Sequence, residues 1–132
     1  MSRAPDGPAK QFTEEDKRYA RNLHRQAIAQ AREEANLCRR HYETQAEEGI
    51  VKKDLVAELA AKTFLYWDHL RAPVDSAGLK EQFSELDELD KRTLSSEKHI
   101  ADMDVPASKF VGFIEQMNTL VEDTGILERE EV

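Results

Sequence analysis

From Thr13 to Glu48 the chain contains no glycine and no proline, and this uninterrupted stretch constrains the fold more than any other feature. It reads as one helix over 14–48, roughly 50 Å long at 1.5 Å per residue. Thr13, followed by Glu14, Glu15 and Asp16, has the form of an N-cap with acids in the first turn, where the helix dipole favours them. Gly49-Ile50 supplies the matching C-terminal stop with its apolar contact. About a dozen residues is the usual helix length, so a bend or break near Glu33-Glu34 is the alternative.

Two stripes run along this helix. Arg18, Arg25, Arg32 and Arg39 are spaced by seven, which in a helix of 3.6 residues per turn makes one slowly drifting row. Beside it lies a thin seam of small or apolar residues: Ile28, Ala31, Ala35, Cys38 and Tyr42. The arginines flank that seam where a coiled coil places charges that pair with a neighbouring helix. Charge is distributed unevenly to match. The whole chain carries a formal net charge of -8, yet Lys17 to Arg32 holds five cations and no acid. An acidic average disfavours nonspecific attraction to nucleic acid or anionic membrane.

The remaining chain reads as three shorter helices. Leu55, Val56, Leu59, Ala60, Phe64, Leu65, Trp67 and Leu70 make the second, ending at Ala72-Pro73, the most buried candidate. A third is expected from a cap at Asp75 or Ser76 to about Met103, on Leu79, Phe83, Leu86, Leu89 and Ile100. A fourth follows Asp104 and Pro106, carries Phe110, Phe113, Ile114, Met117, Leu120 and Val121, and stops at Gly125. The fold class expected is all-α: four helices, antiparallel and bundle-like, with a long first helix. The expected division is a flexible arm over 1–12, one helical domain over 13–127 and a frayed tail over 128–132.

Tyr42-Glu43, Gly49-Ile50, Asp54-Leu55-Val56, Trp67 and Pro73 together resemble a pattern found in helical domains of unknown function. The resemblance covers about a quarter of the chain. It implies a helical hairpin and implies no activity.

Catalytic and cofactor chemistry find no footing. The residues three before His24, His41, His69 and His99 are Arg21, Cys38, Tyr66 and Ser96, so the Glu-x-x-His pair of a di-metal bundle is missing. Cys38 and His41 share a helix face, but two ligands do not make a zinc site. No phosphate-binding glycine loop and no hydrolase string occurs. The expectation is a non-enzyme without metal, cofactor or small-molecule substrate. One cysteine, no apolar run near 20 residues and a polar amino terminus point to a soluble cytoplasmic protein without a membrane segment.

The function expected is protein–protein interaction or assembly through the first helix, with a homo-oligomer or another protein as the partner. Arg18, Arg21, Arg25, Arg32 and Arg39 would select an acidic surface, and Ile28, Ala31, Ala35, Cys38 and Tyr42 would form the interface seam. The acids Glu81, Glu85, Glu88 and Asp90 of the third helix are the expected counterpart, within the chain or across copies. Two alternatives stand beside this. One is a nucleic-acid-binding regulator using the arginine stripe; the other is an inhibitor that presents the acidic surface to a basic partner.

Overall fold

The computed structural model describes residues 11–93 and 105–128. Among them, α1 spans Glu14–Glu47, α2 Lys53–Ser76, α3 Ser84–Thr93 and α4 Ala107–Thr124, with a 3-10 turn at Lys80–Phe83 between α2 and α3 and no strand. This is the all-α, bundle-like architecture that the sequence implies. Most of the expected arm and tail, the cap at Asp104, and Ile100 and Met103 lie outside the described residues.

α1 is continuous, with no break at Glu33-Glu34. Its start is a reciprocal capping box: the Asp16 amide donates to the Thr13 hydroxyl at 3.0 Å and the Thr13 amide donates to the Asp16 carboxylate at 3.1 Å. Gly49, at φ 76°, turns the chain into α2, which runs back along α1. The Lys62–Glu34 and Cys38–Glu58 contacts mark that antiparallel register.

Two boundaries differ from expectation. α2 does not stop at Ala72 but continues through Pro73 to Ser76. Val74, 1% exposed, is drawn into the core, and this burial outweighs one missing backbone donor at the last turn. The chain then turns at Gly78, φ 76°, so α3 begins at Ser84 and not at Asp75 or Ser76.

The core is shared by all elements. Ile28, Ala31, Ala35 and Cys38 of α1 meet Leu59, Phe64, Tyr66, Trp67 and Leu70 of α2 and Phe110, Phe113, Ile114 and Met117 of α4. Phe83, Leu86 and Leu89 close it from the 3-10 turn and α3. Alanines at 31 and 35 allow α1 a close approach, so a helix with a thin apolar stripe is held by large residues from its neighbours. α1 outruns that support, since every residue from 11 to 20 is exposed. No helix among the described residues is long and apolar enough to cross a membrane.

Candidate protein-interaction surface

The arginine stripe divides between two tasks. Arg32 donates to Glu122 at 2.8 Å and Arg39 lies 3.8 Å from Glu115, so half of the row is paired inside the chain. The partners stand on α4, not on α3 as expected. Between the two pairs, the Asn118 amide donates to Asn36 at 2.9 Å, and the buried Tyr66 hydroxyl donates to the Asn118 carbonyl at 3.1 Å. The rungs at Arg32, Asn36 and Arg39 join α1 to α4 in one antiparallel register, and Tyr66 ties α2 to the middle one. Burial pushes the Tyr66 phenol above its ordinary range, and Arg32 partly opposes that rise. Toward the amino terminus, Arg25 bonds Asn22 on its own helix, and Arg18 is exposed.

The expected interface seam is occupied within the chain. Ile28, Ala31, Ala35 and Cys38 are 0%, 2%, 0% and 6% exposed, and Tyr42 packs half-buried against the same cluster. A second copy cannot reach these residues without displacing α2 and α4. The seam reading is therefore corrected: packing against the rest of this chain satisfies it.

The acids expected to answer the stripe have other partners. Glu85 lies 2.6 Å from Lys109, Asp90 lies 2.5 Å from Arg71, and Glu88 lies 3.9 Å from Lys91. Arg71 also lies over Trp67 of its own helix, 5.8 Å from the ring centroid, while its bridges to Asp87 and Asp90 tie α3 to α2. Glu81 stands exposed on the 3-10 turn. The acidic face is thus partly neutralised by the chain's own cations, and the exposed pairs Glu85–Lys109 and Glu88–Lys91 contribute about 0–1 kcal/mol each.

Cys38 offers no reactive thiol. Desolvation, reinforced by the Glu58 carboxylate 3.7 Å away, pushes its pKa up to about 12. The exposed His41 is one turn away, and among the described residues no group of three metal-ligating side chains is gathered. The folded thiol should alkylate at pH 8 at least about 100-fold more slowly than the unfolded one, because labelling waits for opening. Its folded pKa lies above the unfolded value of about 9, so its contribution to stability is complete below pH 9 and is lost as pH rises toward 12. Iodoacetamide labelling followed by mass spectrometry checks the first point, and denaturation across pH 8–11 the second.

One surface of α1 has no role inside the fold. Tyr19, Leu23 and Leu37 are 67%, 48% and 51% exposed, and Phe12, just before the cap, is 65% exposed. Tyr19, Leu23, Gln26 and Gln30 follow the alternating four- and three-residue steps of a helical face, and Leu37 continues it one heptad past Gln30, beyond the exposed Glu33, opposite the buried seam. The inner row Ile28, Ala31, Ala35 and Cys38 shares that rhythm and is the more continuous of the two, which hides the outer row in the sequence. Phe12, Asp16, Lys17, Tyr19 and Ala20 line a shallow concavity of about 400 Å³ at the free end of α1. A second groove, about 500 Å³, is bordered by Arg21, His24, Val74, Leu79 and Ile126. Residues near the carboxyl ends of α2 and α4 line this groove together with Arg21, and helix dipoles favour a cation near such ends. Comparison with protein-family models, curated proteins and solved structures finds no match for this chain, so its surface chemistry alone carries the functional reading.

Proposed function

We propose that the chain is a non-enzymatic helical interaction protein of the cytoplasm that engages protein partners through the outer face of α1. The carrying observation is the exposure of Tyr19, Leu23 and Leu37 on a helix whose inner face is already saturated. Large apolar side chains at helical spacing are what a partner helix or groove can bury, and aromatic residues anchor such contacts. A photo-crosslinking residue placed at Leu23 or Leu37 should form protein adducts in living cells, while one at exposed Asp54 of α2 should not. Equal yields at all three positions, or adducts to nucleic acid alone, would reject the proposal.

The stretch from Lys17 to Arg32, with five cations and no acid, supports a second reading as a nucleic-acid contact. Arg32 is already held by Glu122, which reduces the charge left for phosphate. Anisotropy of a labelled duplex at low and physiological salt separates the two, because phosphate neutralisation gives a steep loss of affinity with salt. The protein-interaction reading expects no duplex binding at physiological salt.

A further inference from the structure

We propose that the outer face of α1 pairs with the same face of a second copy, antiparallel, about a two-fold axis level with residue 28. This rests on the reading of α1 as an interaction surface and names its partner. Four observations fix the occupant.

The first is reach. α2 and α4 contact α1 through Glu34, Cys38, Arg32, Asn36 and Arg39, on its inner side. Among the described residues the opposite side is open along its length, so two copies can meet there with their cores turned outward. The second is apolar register. Tyr19 and Leu37 lie symmetrically about position 28, so antiparallel pairing sets each Tyr19 against Leu37 of the second copy. Gln26 and Gln30 then meet their counterparts near the axis, where amides can exchange hydrogen bonds.

The third is charge at the contact. In this register Glu15 comes within one residue, about 1.5 Å, of the level of Arg40 of the second copy, and Asp16 within one residue of its His41, all four exposed. A parallel, in-register pair would instead oppose Glu15 to Glu15 and Arg40 to Arg40. The wider field agrees: the stretch 17–32 carries five cations and no acid, whereas 33–48 carries five acids against two arginines. About residue 28, antiparallel alignment sets 17–23, with three cations, beside 33–39 of the second copy, with two acids and one arginine, and also opposes the helix dipoles favourably. The fourth is shape. The concavity between Phe12 and Tyr19 comes level with Arg40 and His41 of the second copy, so it receives side chains that the rest of the fold leaves outside. With only a few apolar residues contributed per copy, the affinity belongs in the micromolar range of small interfaces.

The test uses the full chain. Sedimentation equilibrium at high micromolar concentration should give a dimer, and Leu37→Glu should weaken association at least about tenfold with unchanged helix content, since Leu37 is half-exposed. Tyr19→Ser, at the other end of the register, should act in the same direction. For orientation, Glu15→Cys and Arg40→Cys are made separately on a Cys38→Ser background. Air oxidation of the mixture should give the mixed disulfide. Each variant alone should not crosslink, because its two thiols would lie about 40 Å apart at 1.5 Å per residue. A monomer at high micromolar concentration, or disulfides formed by each variant alone, overturns the pairing. Adducts at Leu23 and Leu37 to a different protein, with a monomeric chain, overturn the pairing and leave the interaction reading standing.

Discussion

Replacing Trp67 with alanine should cost about 3–5 kcal/mol, the range for deleting a fully buried aromatic ring. Trp67 is 1% exposed, its ring centroid is 5.0 Å from that of Phe83, and the Arg71 guanidinium covers it. It is therefore the latch that holds the 3-10 turn and α3 onto α2. A domain of this size has about 5–15 kcal/mol of total stability, so the loss removes about a fifth of it or more. Thermal unfolding followed by circular dichroism should show a fall of about 10–20 °C. Trp67→Phe discriminates packing from polarity. The indole Nε1–H is buried and finds no hydrogen-bond partner among the described residues, so phenylalanine removes an unsatisfied donor together with some volume. That variant should cost less than about 1.5 kcal/mol. A loss below about 1 kcal/mol for the alanine variant would show that the indole is not the latch.

The sequence announces the helix boundaries where one residue type is enough to set the backbone. Thr13 caps, Gly49 turns and Gly125 stops α4 in a left-handed conformation at φ 65°, because each effect is local. Pro73 misleads for the opposite reason. Its local preference is a matter of one turn, whereas the burial of Val74 belongs to the tertiary structure and prevails. Gly78, five residues after Pro73, carries the true stop signal. The partner of the arginine stripe was misplaced because the third helix holds more acids than the fourth. Spacing was the better guide: Glu115 and Glu122 repeat at seven, as Arg32 and Arg39 do, and an antiparallel pair of helices aligns both rows at once. The exposed face of α1 was harder to see, since Gln26 and Gln30 interrupt its apolar row and the inner row dominates the pattern.

That ladder leads to the second large effect, at an uncharged residue. Asn118→Leu should destabilise the chain by about 2–3 kcal/mol, because it leaves the buried Tyr66 hydroxyl and the Asn36 carbonyl without their partner. Arg32→Gln and Arg39→Gln should each cost under about 1 kcal/mol, since their partners Glu122 and Glu115 are 66% and 63% exposed and water screens both pairs. One neutral rung thus outweighs the charges that dominate the sequence. The mechanism requires non-additivity. Adding Tyr66→Phe to Asn118→Leu removes the stranded hydroxyl and should recover about 1–2 kcal/mol, a coupling that a double-mutant cycle in urea measures directly. Strictly additive losses would mean that Asn118 acts by volume alone. Adding Asn36→Leu as well completes an apolar layer, and its stability should return to that of the native chain or exceed it. What such a layer no longer supplies is the buried polar preference of α4 for one heptad over the next along α1, which then rests on the exposed Arg32–Glu122 and Arg39–Glu115 pairs and on apolar packing. Broadened amide resonances in α4 of that triple variant, at native stability, are the expected sign that Asn36, Asn118 and Tyr66 select the register.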